Sequence, residues 1–182
     1  GQGASCGGVH TTYGSTAPIA AVTLRNESGT FDIGGELTVH RLGFGALRIT
    51  GENVIGEPEN VENAKCVLQT AVSLLVDLID TADSYGPGVS ERLIREALSP
   101  YADDLVIATK GGLLRNRDGD WLKSGHPDAL RNAHLSSLDR LGVDCIDLYQ
   151  YHRVDPDVDL EDSVTALAEL KDDGEIRHVG LS

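Results

Sequence analysis

Four side chains in this chain combine acid, base and cation chemistry: Asp80, Tyr85, Lys110 and His152. Asp80 closes the apolar run Leu78-Ile79. Tyr85 follows in Asp80-Thr81-Ala82-Asp83-Ser84-Tyr85-Gly86, which leads into the turn Gly86-Pro87-Gly88. Lys110 ends Leu105-Val106-Ile107-Ala108-Thr109 and precedes Gly111-Gly112, and His152 follows the run from Cys145 to Tyr151. A phenol titrates near pH ~10 and is a poor acid or base at neutral pH. A neighbouring ammonium stabilises the phenolate, and a histidine hydrogen-bonds the same oxygen or orients a carbonyl. A carboxylate pairs with the lysine and holds it. Such a set suits proton transfer to a carbonyl oxygen while a cofactor supplies hydride to the carbon. A solvated Asp–Lys pair, a rim histidine and a surface tyrosine would leave the same pattern, and the residues alone keep both readings open.

The elements that must position these groups alternate. Thr30–Ile33 and Glu36–Val39 read as a hairpin, with Gly34-Gly35 supplying the positive φ of a tight turn. A short strand near 42–45 follows, in Leu42-Gly43-Phe44-Gly45. A dinucleotide fingerprint would need Gly at position 48, where Arg48 stands, and no helix follows directly, so a Rossmann motif is disfavoured. A helix from about Pro58 to Leu74 presents Val61, Ala64, Leu68, Ala71 and Val72 on one broad face. A strand over 76–80 is next, then a helix opening at Val89 or Ser90 and stopped by Pro100. The near-continuous apolar run 105–110 reads as a buried parallel strand. Leu113–Gly125, with Trp121, reads as a long polar loop. Pro127 sits in the first turn of a helix that ends at Gly142, with Leu130, His134, Leu138 and Leu141 on one arc. A strand over 145–151 is followed by a helix over 160–173 with Leu160, Val164 and Leu167 inward, and by a strand over 177–181. About 30 residues per unit fits right-handed βαβ crossovers in a parallel sheet. An eight-stranded (β/α) barrel needs about 250 residues; the five strands read as the first five-eighths of one, with the reactive residues on its C-terminal rim.

Composition narrows the function classes. With 182 residues, 40% hydrophobic, the chain is long enough for a core. A net charge of -14 and no basic run argue against a nucleic-acid surface. No apolar run approaches the roughly 20 residues of a membrane span, and Ala17–Leu24 is too short for a signal peptide and lacks a preceding basic region. Cys6, Cys66 and Cys145 have no ligand spacing and read as idle thiols in a reducing cytoplasm. The scattered histidines give no metal motif. Residues 1–29, rich in Gly, Ser, Thr and Ala, read as a flexible or unrelated leader, and 30–182 as the partial barrel. A chain with no Met that starts at Gly is expected to be a fragment or processed product.

From about Gly29 onward the chain resembles the N-terminal part of an aldo-keto reductase. The residues that carry the likeness are the hairpin before Leu42-Gly43-Phe44-Gly45-Ala46-Leu47-Arg48, Asp80 to Gly86, Ala108-Thr109-Lys110-Gly111-Gly112, Leu141-Gly142-Val143-Asp144 leading to Asp147–His152, and Ile176–Ser182. Their order and spacing are specific together, and none is so singly. The resemblance implies a TIM barrel with an N-terminal β-hairpin, represented through about its fifth strand, and reduction of an aldehyde or ketone. It implies Tyr85 as general acid, with Asp80, Lys110 and His152 completing a tetrad. It also implies NADPH across the barrel mouth, touched by Gly45, Ala46, Leu47, Asp80 and Ser182, with no metal. Gly86-Pro87-Gly88-Val89-Ser90 and Tyr101–Leu105 are most similar to the bacterial pyridoxal-reductase branch. The implied partner is a small-molecule carbonyl compound, in a cytoplasmic setting without nucleic acid or membrane, with self-association through unclosed sheet edges. A non-catalytic nicotinamide-binding or regulatory protein on the same barrel is the alternative; loss of a tetrad residue would mark it, and all four are present. The chain departs from the family in carrying Leu75 where a Gly is usual, so the preceding helix must close differently or under strain. It also lacks the last three βα units that grip the adenosine phosphate, which implies weak NADPH affinity.

Overall fold

The structure is a computed structural model that describes residues 19–182 apart from residue 117. Its centre is a parallel sheet of five strands in the order β3 (Phe44–Gly45), β4 (Leu78–Asp80), β5 (Val106–Gly111), β8 (Ile146–Tyr151) and β9 (Ile176–Leu181). Register is continuous across the reactive end: Gly45 pairs with Asp80, Asp80 with Ala108, and Lys110 with Gln150. The crossovers carry α2 (Val61–Ser73), α3 (Val89–Leu98), α4 (Pro127–Leu141) and α5 (Leu160–Asp172). Ala46, Leu68, Ile79, Leu93, Ile94, Ile107 and Leu141 form the larger core between helices and sheet, and Leu130, Ile146, Tyr149, Leu167 and Ile176 the second.

The hairpin of β1 (Thr30–Ile33) and β2 (Leu37–His40) turns through Gly34 and Gly35, both at positive φ. It covers the N-terminal ends of the strands, packing Leu37 and Val39 on Val106. Gly34 fits so closely that an added Cβ would lie 2.1 Å from His178 Nδ1.

Several elements differ from the sequence reading. Ile19–Ser28, assigned to the leader, form helix α1. Arg25 ties the helix to the hairpin and the strand beyond it: Nε donates to His40 Nδ1 at 3.1 Å and Nη2 reaches Asp77 Oδ2 at 3.3 Å. Residues 1–18 lie outside the described residues. The expected loop 113–125 contains a hairpin, β6 (Leu113–Arg115) with β7 (Trp121–Lys123). Asn116 organises its turn by accepting from the N–H groups of Asp118 and Asp120, and such local side-chain pairing leaves no hydrophobic period to read. α2 begins after Asn60, whose carboxamide caps Asn63 N at 2.9 Å, not at Pro58. On α5 the inward face is Ser163, Ala166, Leu167 and Leu170, while Leu160 and Val164 are exposed. Cys66 is disulfide-bonded and only Cys145 is a free thiol among the described cysteines, which corrects the reading of idle thiols. Leu75 ends the turn after α2 at φ 69. A leucine held in the left-handed region costs about 1–2 kcal/mol, so the missing glycine is met by strain.

Candidate active site

Three of the four reactive residues singled out in the sequence stand at or just beyond the C-terminal ends of parallel strands. Asp80 is the last residue of β4, Lys110 lies near the end of β5, and His152 follows β8. The strand ends are locked by backbone bonds that continue past the sheet: Thr81 N to Ala108 O at 2.8 Å, Asp83 N to Lys110 O at 3.2 Å and His152 N to Gly111 O at 2.8 Å. Tyr85 is carried back over this rim by the turn before α3, whose first residue follows Gly88 at φ 79. An apolar hollow of about 240 Å³ beside α1, lined by Leu24, Leu42, Leu74 and Leu75, opens at the opposite end of the strands and takes no part in this geometry.

Lys110 is buried and its ammonium donates to Asp80 Oδ2 at 2.6 Å and to Thr81 O at 2.7 Å. Gln150 Nε2 holds the other Asp80 oxygen at 3.2 Å. The Lys110 ammonium lies 5.2 Å from the Tyr85 ring centroid, and the Tyr85 and His152 rings meet edge to face at 5.9 Å. Sequence reasoning assigned Lys110 to lowering the phenol's pKa. Instead Tyr85 is raised above the ordinary phenol value, by burial first and by the Asp80 charge second. The phenol therefore keeps its proton at neutral pH. His152 is held down to about 4, by burial, then by the Lys110 and Arg153 charges, and is neutral at pH 7. Its only ring hydrogen bond among the described residues runs from Nδ1 to Ser84 Oγ at 3.4 Å. In the tautomer in which Ser84 donates to Nδ1, Nε2 carries the ring proton and can donate to a ligand.

Beneath the rim is a buried polar layer that sequence reasoning missed. Glu91 is fully buried on α3; its carboxylate accepts from Thr109 Oγ1 at 2.6 Å and from Arg140 Nε at 2.6 Å. Asp83, also buried, is raised to about 7 by burial and then by the Glu91 charge. Thr81 Oγ1 and Ser90 Oγ pair at 2.7 Å. Gln150 was visible only as a polar residue two places before His152. Glu91 and Arg140 gave no local signal, because their 49-residue separation closes only in the fold.

The residues that the family resemblance gave to a cofactor stand at the same end of the sheet, Gly45 paired with Asp80 at one edge and Ser182 after β9 at the other. Gly45 is exposed, with nothing within 4 Å of where a Cβ would stand, so its backbone is open to a ligand. Leu47 is half-buried, Ala46 turns its side chain into the core, and Asp80 is half-buried. Ser182 is exposed and its N–H donates to Tyr151 O at 3.1 Å. Gly45, Leu47, Asp80 and Ser182 are thus accessible to a ligand at this end of the sheet, with Ala46 offering backbone only. Among the described residues no cluster of three or more His, Cys, Asp or Glu is placed to hold a metal ion, and no helix is long and apolar enough to cross a membrane.

Comparison with known proteins is consistent with this geometry. The model of the "Aldo/keto reductase family" matches residues 41–182. An uncharacterised oxidoreductase of Schizosaccharomyces pombe is 48% identical over 167 residues, 92% of this chain and 54% of that relative. A pyridoxine 4-dehydrogenase of Escherichia coli is 41% identical over 161 residues, 85% of this chain and 56% of its own. The chain thus spans about half the length of the curated relatives it matches. Among solved structures, an aldo-keto reductase from Bacillus halodurans in its holo form superposes with a TM-score of 0.73 at 31% identity, covering 85% of this chain and 50% of that one. A glycerol dehydrogenase from Gluconobacter oxydans gives 0.77 at 29% identity, covering 85% and 48%.

Proposed function

Given that the chain belongs to the aldo/keto reductase family, a family of oxidoreductases, we propose that it reduces an aldehyde or ketone to an alcohol with a nicotinamide cofactor, NADPH in our reading, and that Tyr85 gives the proton. The observation that carries this is the setting of Tyr85: a phenol on the rim whose ring centroid lies 5.2 Å from the Lys110 ammonium and whose ring meets the His152 imidazole edge to face at 5.9 Å. At neutral pH the phenol holds a proton to give, and a carbonyl oxygen gaining negative charge is a base that can take it.

The division of labour follows from the contacts. Tyr85 donates its proton to the carbonyl oxygen as charge develops there. His152, neutral and donating from Nε2, orients that oxygen. The phenolate left behind is stabilised by the nearby Lys110 ammonium, which Asp80 and Thr81 O hold in place. Gln150 fixes the Asp80 carboxylate from its other side. Gly45, Leu47, Asp80 and Ser182 would hold the cofactor along the rim, and when bound it supplies the hydride. The relative's name, pyridoxine 4-dehydrogenase, makes pyridoxal the first aldehyde to try.

The test is NADPH oxidation followed by absorbance with a panel of aldehydes, pyridoxal included, for the chain and its Tyr85→Phe variant. Removing a general acid costs about 10²–10⁴-fold, so turnover that falls at least about a hundredfold supports the assignment. Turnover that survives in Tyr85→Phe refutes it.

A further inference from the structure

Beside Tyr85 the rim opens into a cleft of about 520 Å³, walled by Leu47, Arg48, Val54, Arg115 and Trp121. Its two sides come from separate excursions of the chain, the segment after β3 and the β6–β7 hairpin. Arg115 spans them. Its guanidinium lies 4.0 Å from the centre of the Trp121 ring, and Nη2 donates to Asn53 O at 2.6 Å. Its Nε is buried with no hydrogen-bond partner, a donor of the kind that asks for an explanation. Arg48, on the facing wall, is exposed and has neither an ion pair nor a hydrogen bond from its side chain among the described residues. Asp118 is the one carboxylate in the lining; Glu52 borders an adjoining hollow that shares Arg48 and Val54.

The wall is strained and anchored to the reactive turn. Asn53 and Val54 stand at φ 55 and 63, and a β-branched residue there is an outlier of the sort that persists where the surroundings enforce it. Gly86, next to Tyr85, contributes by donating to Val54 O at 3.2 Å, Arg115 by donating to Asn53 O, and the turn's own backbone by Val54 N to Gly51 O at 3.1 Å. In a chain of net charge -14, two guanidiniums without carboxylate partners facing one cleft are out of keeping with the general surface. Guanidinium is the side chain suited to planar, bidentate recognition of carboxylate or phosphate.

We propose that this cleft binds the anionic end of the carbonyl substrate, a carboxylate or phosphate held between Arg48 and Arg115, so that the carbonyl reaches Tyr85. The assignment rests on Tyr85 as the reactive centre. Leu47 lines the cleft and is also among the residues proposed to hold the cofactor, so the substrate's other end would lie beside the cofactor. The phosphates of the cofactor itself share the same chemistry, and the experiment separates the two sources.

Trp121 is the only tryptophan and reports on the cleft without any turnover. Its fluorescence is titrated with 4-formylbenzoate, with the neutral 4-formylbenzamide, which also controls for light absorption, and with NADPH. The chain is compared with Arg48→Gln, which removes no structural contact, and with Arg115→Lys. A charge-assisted hydrogen bond contributes enough for about a tenfold or larger change in Kd. The expected result is that the carboxylate binds at least about tenfold more tightly than the amide, that Arg48→Gln removes this preference, and that salt weakens it. Equal binding of the two aldehydes, no saturable quenching, or a preference untouched by Arg48→Gln overturns the proposal. So does quenching by NADPH that depends on Arg48 while the carboxylate gives none, which would give the arginines to the cofactor. A Tyr85→Phe variant retains the binding preference under the proposal, so failure here and failure of the proton-donor assignment are read by different assays.

Discussion

Asp83→Asn isolates the electrostatic load beneath the reactive rim. Asp83 is 8% exposed, its Oδ1 has no hydrogen-bond partner, and its pKa rises from 3.8 to about 7. Burial is the leading cause and the Glu91 charge the second, with Arg140 and Ser84 acting against them. A carboxyl whose folded pKa is raised binds its proton more tightly in the folded state. Between about pH 4 and 7 the folded protein therefore holds protons that the unfolded chain has released, and stability falls as pH rises through that window. About three pKa units at ~1.4 kcal/mol each place the full cost near 4 kcal/mol above pH 7, as an order of magnitude. Asparagine keeps the shape and never ionises. The stability difference between the variant and the parent should be close to zero near pH 4 and grow to several kcal/mol in the variant's favour by pH 8. Urea denaturation followed by circular dichroism at stepped pH measures it. His152, lowered to about 4, acts in the opposite direction, losing stability as pH falls below its unfolded value of 6.5. Both proteins carry it, so it cancels in the difference. A difference that does not change with pH, or an asparagine variant less stable at pH 8, would refute the reasoning.

Two further outcomes test the scaffold. Arg140→Met leaves the fully buried Glu91 carboxylate without its cation and should cost about 3–5 kcal/mol in denaturant unfolding, with most of the loss recovered by adding Glu91→Gln; a cost under about 1 kcal/mol would mean the pair is solvated. At Leu75, φ 69 reverses the usual order of small residues: Leu75→Gly should be more stable than Leu75→Ala by about 1 kcal/mol, and the opposite order of melting temperatures would count against strain there.

The reactive rim was legible because its parts are local. A strand end and a polar residue fall together at Asp80, Lys110 and His152, with a glycine turn close behind the first two, and the parallel register aligns them. The same locality made α3 and α4 readable from Val89, Pro127 and Gly142. What escaped depends on tertiary closure. Glu91 looks like any helix acid until Arg140 and Thr109 close on it. The pairing of Arg115 with Trp121 requires the hairpin that Asn116 nucleates. Helix α1 has almost no amphipathic pattern and depends on Arg25 reaching Asp77. On α5, Leu160 and Val164 misled because apolar type was taken for burial, while Ser163 is held inside by Tyr151 Oη and Gly125 O.

The order of the sheet, β3-β4-β5-β8-β9, is also the order in which those strands occur along the chain. Each strand is laid beside the one made just before it, and none must be inserted between two already paired. A ribosome delivering this chain from its N-terminus would therefore deliver the sheet edge by edge, each addition needing only the segment already outside. The reactive set would assemble on the same schedule. Asp80 and Tyr85 come with the second strand, Lys110 completes its ion pair with the third, and His152 arrives with the fourth. Ser182 comes later still, after the fifth strand.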